Sequence, residues 1–529
     1  MLGLGTALRV VTVLGYRPAL WFPDSYTYVV TALRPRPDLV RPAGYSMFLR
    51  LFEPFHSFAL VASVQHLLGL LVGVLVYLTA RRLGAPGWAA VLASVPPLLD
   101  AYQIELEHLL VSDTLFATLV MSAVCLAVSR ATGPVPSGSS DPGRGPSGAR
   151  SRTAGGSGVP GIRAGGLVAA GGIGLLVAAA TLTRTVGLPL VALFAAWLIY
   201  RARGRVLTAG VMVAAALVPI AGYGLWFHAT YQRFGLVGAN GVFLYGKTMT
   251  FADCAVMRPP ADLAVLCDPR PPAERPPAQE YVWSKDSPLV RLPGITFTEE
   301  NEALAGRFAS LAIARQPLDY LGSVLSELAR SFAPGRPVYP DAEVYGYYEF
   351  PATPPPPPGR YPATVGAEFA RRYERGPIDV RIAEPYAGWM RAYQRVARLP
   401  GTAVLVIVLV PPVTAAARWL RRRPRGGATD PGSPAGGRTG GSWRLRRGPA
   451  GRSWRLRRGP VEAAGEAAGA GSAVWPLPWA TAVSLLVMPP AVAEFDYRYV
   501  LPAVPAACLA AAFMTSKPSL HNIPRNVRI

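Results

Sequence analysis

Apolar residues gather along the chain in ten blocks, separated by polar, proline-bearing or arginine-bearing connections. The blocks run Leu2–Leu20, Ser57–Ala80, Trp88–Tyr102, Thr114–Ser129, Gly165–Leu182, Val186–Tyr200, Val206–Phe227, Thr402–Leu420, Val474–Val492 and Val500–Met514. A helix that spans a bilayer needs about 20 mostly apolar residues, so the pattern predicts a polytopic α-helical membrane protein with about ten transmembrane helices. Pro96-Pro97 and Pro411-Pro412 interrupt two blocks. Membrane helices accommodate such prolines where neighbours satisfy the freed carbonyls. The first block carries Arg9 at its middle and no basic segment before it, so it does not read as a secretion signal. Two explanations stand: a start upstream of Met1, or a polar interior that Arg9 faces.

One stretch breaks the pattern. Residues 228–400 lack long apolar runs and nearly balance acids with bases, and the length suits a small folded domain. The chain thus divides into an N-terminal membrane region (1–227), this domain of mixed structure (228–400), C-terminal membrane helices (401–514) around a basic loop (421–473), and a tail (515–529). Within the domain, Glu299–Arg315 and Leu318–Phe332 read as helices parted at Gln316-Pro317, and Tyr386–Val396 as a helix leading into the eighth block. Pro354–Pro358 predicts an extended segment.

Charge fixes the orientation. The 529 residues hold 53 Lys plus Arg against 31 Asp plus Glu, a formal charge of +22, yet only 16% are charged, against about 25% in soluble domains. Arg81 and Arg82, Arg130 to Arg163, Arg201 to Arg205, and thirteen arginines from Arg418 to Arg458 against Asp430 alone fall on alternate connections. Basic connections stay cytoplasmic, so the excess is a topology signal rather than a nucleic-acid footprint, and the 228–400 domain lies outside the cytoplasm. The Gly133–Gly161 segment, rich in Gly, Ser and Pro, predicts disorder. In the basic loop Ser442–Pro449 recurs as Ser453–Pro460, which reads either as a surface for anionic lipid headgroups or as a duplication in a tolerant loop. Four cysteines in this length exclude a disulfide scaffold. Cys254 and Cys267 fall in the external domain, where a disulfide would contribute about 3 kcal/mol. Cys125 and Cys508 lie in apolar blocks and read as packing residues.

Polar residues that suit chemistry recur at the external ends of the blocks. They are Asp24, Tyr26 and Tyr28; Arg41 through Tyr45 to Leu49; Glu105, Glu107, His108 and Asp113; Arg184; and Glu494, Asp496 and Arg498. The order of short motifs resembles the GT-C superfamily of membrane glycosyltransferases that use polyprenyl-phosphate sugars, including protein O-mannosyltransferases and aminoarabinose transferases. Asp24-Ser-Tyr resembles the acidic motif of its first external loop, and Arg41-Pro-Ala-Gly-Tyr45 with Phe48-Leu49 its Pro-x-Tyr-x-x-Phe-Leu stretch. Gln65 and Gly69 match a Gln-x-x-x-Gly. Ser112-Asp113-Thr-Leu-Phe116 resembles Ser-Glu-x-Leu-Phe, Thr183-Arg184 its Thr-Arg-Pro turn, and Arg498-Tyr-Val-Leu-Pro502 its late Arg-Tyr-x-x-Pro. One departure matters: many members pair two acids in the first loop, and here Ser25 follows Asp24.

The resemblance implies a GT-C-like fold and an inverting transfer from a polyprenyl-phosphate sugar to a glycan, lipid or protein acceptor. The reaction would occur at the external face of a bacterial plasma membrane, with membrane lipid as a partner and no nucleic acid. In that reading Arg184 and Arg498 hold the leaving phosphate as planar donor forks, and Asp24 is the general base. Tyr26 and Tyr45 form a sugar platform. A divalent cation, where one is used, takes Asp113, Glu107 and His108. Each residue also has a plainer role. Asp24 and Asp113 suit helix caps, His108 suits packing, and Glu105 suits a solvated surface. Arg184 and Arg498 suit pairing with Asp496 or Glu494, or snorkelling. The tyrosines suit an interfacial belt, and Gln65 an interhelical hydrogen bond. The competing functions are a transporter or flippase of lipid-linked sugars, for which ionisable residues at the bilayer midplane would speak, and a noncatalytic envelope scaffold.

Overall fold

The computed structural model describes residues 1–131, 164–202, 206–356, 359, 361–422 and 474–516. The segment predicted to be disordered, the tandem repeat, residues 357 and 358 of the proline run, nearly all of the basic loop and most of the tail lie outside the described residues.

Among the described residues five helices are long and apolar enough to cross a membrane: Phe58–Arg82, Asp113–Arg130, Gly165–Thr183, Val206–Tyr231 and Gly401–Arg421. Shorter apolar helices, Leu2–Gly15, Gly87–Leu99, Thr185–Arg201, Pro476–Val492 and Tyr497–Phe513, occupy the other five blocks. The first spans 14 residues, about 21 Å at 1.5 Å per residue. It stops because the chain turns into a two-residue strand, Tyr16–Arg17, paired antiparallel with Arg381–Ile382. The Trp88–Tyr102 block resolves into two helices. Gly87–Leu99 runs through Pro96 and Pro97, and Ala101–His108 starts anew where the Asp100 side chain accepts from the Tyr102 N–H.

The 228–400 stretch does not pack as one body. Residues 242–312 build their own core around Tyr245, Tyr281 and Phe308. The Tyr361–Glu374 and Tyr386–Val396 helices instead bury Ala370, Tyr373, Ala387 and Met390 in a core shared with Tyr16, Trp21, Tyr28 and Tyr45 of the N-terminal region. Among the described residues of this stretch the regular elements are helices, the two-residue strand Arg381–Ile382 apart, joined by long irregular connections. The expected helices are present: Glu299–Arg315, then Pro317–Arg330, with proline at the first position of the second, where its missing N–H costs nothing. Cys254 and Cys267 form a disulfide, their Cα atoms 6.1 Å apart. The membrane helices share a separate core of small and branched side chains, in which Cys125 and Cys508 are buried.

Candidate functional site

Ser25, not Asp24, caps the Pro23–Leu33 helix: the Phe22 N–H donates to Ser25 Oγ over 3.0 Å. Asp24 lies in the first turn, where the helix dipole favours a negative charge. Its carboxylate is thereby free to bond elsewhere. Arg41 donates to Oδ1, and Arg498, 474 residues away, donates to Oδ2 over 3.2 Å. Arg498 Nε stands 3.1 Å from Asp496 Oδ2. Asp496 in turn receives the Tyr348 hydroxyl over 2.7 Å.

A second pair joins this one. Arg184, just past the Ala164–Thr183 helix, donates to Asp113 Oδ1. Asp113 opens its helix and is buried, yet its Oδ2 has no partner. The Tyr499 ring faces both arginines, 5.1 Å from the Arg184 guanidinium and 5.4 Å from that of Arg498, while Phe22 covers Arg498 at 4.4 Å. Three arginines and three aspartates from five parts of the chain thus surround one aromatic-walled place. Gly44 permits the approach, since a Cβ there would lie 2.4 Å from the Leu182 carbonyl oxygen. Burial raises the Asp24 carboxyl, but Arg41 and Arg498 outweigh it and hold the group down at about 2. Asp24 is therefore an anion at neutral pH, and with that pKa it is a weak base.

The structure separates the three metal candidates. Asp113 belongs to Arg184. Glu107 receives a two-bond fork from Arg9, Nε over 2.7 Å and Nη2 over 2.8 Å. Arg9 also donates to the Leu98 and Pro97 carbonyls, last-turn acceptors that lack helical partners. Arg9 thus faces a polar interior. His66 Nδ1 lies 2.9 Å from Glu107 Oε2, His66 Nε2 lies 3.0 Å from His108 Nδ1, and His108 Nε2 lies 2.7 Å from the Tyr16 carbonyl oxygen. A carbonyl only accepts, so His108 donates at Nε2. Burial drives its imidazole down to about 3, so it is neutral and accepts at Nδ1 from His66. A further proton must then lie between His66 and Glu107. Among the described residues no three His, Cys, Asp or Glu side chains are grouped to hold a metal ion. The ligand set expected of Asp113, Glu107 and His108 is not assembled, because Arg9 and His66 engage Glu107 and the main-chain oxygen of Tyr16 turns His108 away.

The tyrosines also differ from expectation. Tyr26 stacks on Trp21, centroids 4.7 Å apart, and lies beneath Gly366, where a Cβ would come within 2.5 Å of its own Cβ. Tyr45 is fully buried and donates to Gln65 Oε1 over 2.6 Å; Gln65 passes the link to the Glu107 and Leu109 carbonyls. Both are packing residues, and Gln65 has the interhelical role. The tyrosine in the charge field of Asp24, Arg41 and Arg184 is Tyr28, whose hydroxyl donates to Ser112. Glu105 is not solvated: it is fully buried with neither oxygen partnered, and burial pushes its carboxyl well above the usual range. Glu494 does not meet Arg184 or Arg498 but accepts from the Ala278 and Gln279 N–H groups.

Sequence alone gives Arg41 no role beyond its place in Arg41-Pro-Ala-Gly-Tyr45 and does not single out His66, although an imidazole within an otherwise apolar block is itself a signal of a buried polar partner. Comparison of the chain with protein-family models, with curated proteins and with solved structures finds no match.

Proposed function

We propose that the chain is a GT-C-type membrane glycosyltransferase with ten spans in a bacterial plasma membrane. It moves a sugar from a polyprenyl monophosphate to an external acceptor with inversion. The observation that carries this reading is the Asp24 carboxylate held between Arg41 and Arg498, with the Arg184–Asp113 pair beside it. Arg41, Arg184 and Arg498 supply planar donor forks suited to a phosphate. The lipid-linked sugar phosphate competes for those forks, and every guanidinium it takes from Asp24 raises the basicity of that carboxylate. Asp24 then accepts the proton of the acceptor hydroxyl as oxygen attacks the anomeric carbon and the phosphate leaves as an anion. Base and leaving-group clamp are thus coupled, because the base becomes competent only when the donor is bound. The acids and the histidine expected to hold a metal bond other residues: Asp113 meets Arg184, Glu107 meets Arg9 and His66, and His108 meets His66 and the Tyr16 carbonyl.

Proteoliposomes supplied with radiolabelled polyprenyl-phosphate sugars test the proposal. Transfer to an acceptor is expected, with Asp24→Asn lowering turnover by about 10²–10⁴-fold, the usual range for a lost general base. Movement of the lipid across the bilayer without transfer would overturn it in favour of the flippase.

A further inference from the structure

Arg336 is half-buried, in the short segment between the Pro317–Arg330 and Ala342–Gly346 helices. Its guanidinium carbon sits 3.4 Å from the Tyr102 ring centroid, 4.5 Å from that of Tyr345 and 4.8 Å from that of Tyr497. These rings come from three separated parts of the chain. Its Nη1 donates to the Tyr348 carbonyl over 3.4 Å. Nε and Nη2 are buried and have no partner.

Those two nitrogens form one edge of the guanidinium, with N–H bonds pointing the same way. Planar oxyanions bind that edge through two parallel bonds. The chain uses the same edge twice elsewhere: Arg9 bonds Glu107 through Nε and Nη2, and Arg270 bonds Asp268 through Nε and Nη2. In Arg336 neither nitrogen of that edge meets a hydrogen-bond partner among the described residues. Leaving buried charged donors unmade is costly, and tyrosine faces offset the charge without satisfying the N–H groups. The nearby carboxylates are engaged: Asp100 Oδ1 accepts from the Tyr102 and Leu399 N–H groups, and Glu349 pairs with Arg398. The buried Tyr102 hydroxyl also lacks a partner.

We infer that Arg336 binds the carboxylate or phosphate oxyanion of a ligand on its Nε–Nη2 edge, at a site separate from the Asp24–Arg498 cluster. Tyr348 joins the two places, since its carbonyl accepts from Arg336 and its hydroxyl donates to Asp496. If the transferase reading holds, the position fits an acidic group on the acceptor, but the binding site does not depend on that reading.

Phenylglyoxal labelling of the full chain in nanodiscs, mapped by peptide mass spectrometry, tests the site at the level of the residue. Inorganic phosphate or acetate should cut labelling of Arg336 by about tenfold as the site fills, and glycerol should not. Protection by phosphate alone, acetate alone or both supports the site and tells which oxyanion it takes. The same protection should persist in Arg498→Gln, or in Arg498→Lys if the glutamine variant does not fold. It should persist whether or not glycosyl transfer is detected. Labelling unaffected by either anion, an Arg336 that never labels, or protection that disappears with the Arg498 variant would each overturn the proposal.

Discussion

Arg9 and Arg498 are both buried arginines, and each bonds a carboxylate from far along the chain. Their surroundings differ. Arg9 and Glu107 have side chains 3% and 0% exposed, and all three Arg9 nitrogens bond either that carboxylate or a main-chain oxygen. The Asp24–Arg41 pair is 10% and 17% exposed, Arg184 is 16% exposed, and Asp113 Oδ2 is left over. One network is closed and satisfied, with two histidines extending it. The other mixes three arginines with three aspartates, keeps some access and walls itself with aromatic rings. A satisfied buried pair fixes how helices sit; a partly open one retains capacity for a ligand. Residue type alone does not distinguish the two roles.

The sharpest way to break this contrast is to remove one partner from the closed network. Arg9→Met leaves Glu107 buried against His66 without its fork, and about 3–5 kcal/mol of stability should be lost. Unfolding in detergent titrations measures it; a loss below 1 kcal/mol would mean that the pair does not organise these helices. Arg498→Gln should do the reverse. Transfer should fall by about 10²–10³-fold, as when one charge-stabilising donor is lost, while the unfolding midpoint moves far less than with Arg9→Met. Equal destabilisation by the two variants would erase the distinction.

Gly69 offers a finer probe. A Cβ at this position would lie 1.8 Å from Glu107 Oε1, so Gly69→Ala must shift the carboxylate or the Phe58–Arg82 helix. A cost of about 1–3 kcal/mol follows for such overpacking, and thermal unfolding should show it without change in donor affinity.

The smallest effect concerns pH at the junction that carries Arg498. Burial pushes Glu494 up to about 7, partly offset by the Gln279 and Ala278 N–H groups and reinforced by Glu327. A carboxyl raised on folding contributes stability that is full below its unfolded value, near 4.5, and lost as pH rises through about 7. Protection factors of residues 278–283, with the intrinsic base-catalysed rise in exchange divided out, should therefore fall between pH 5 and pH 8 in the native chain. Glu494→Gln should flatten that dependence; an unchanged profile would place the titration elsewhere.

Much of the candidate site was legible, for identifiable reasons. Asp24, Arg184 and Arg498 each lie close to the end of an apolar block, where polar side chains are conspicuous, and the fold brings Asp24 to Arg498 and Arg184 to Asp113. The tyrosines and the metal set were not legible. Tyr26 and Tyr45 occupy the same kind of position as Tyr28, and only helix rotation decides which faces the charges. Glu107 and His108 are near Asp113 in sequence, but the Ala101–His108 helix ends between them and points their side chains at Arg9, His66 and Tyr16. The 228–400 stretch divided its packing for a similar reason. Its first half has enough apolar residues for a core, whereas its last two helices bury theirs against the N-terminal region.

By itself the sequence determined a largely helical chain with several helices long and apolar enough to cross a membrane, because apolar block length is a one-dimensional quantity. It also determined which few ionisable residues would stand at the block ends. Tertiary structure alone decided which of them pair. Forks of guanidinium and carboxylate form only within about 3 Å, and that distance depends on helix rotation, on Gly44 and Gly69 admitting close neighbours, and on a main-chain oxygen claiming His108. None of these is written in the spacing of residues along the chain.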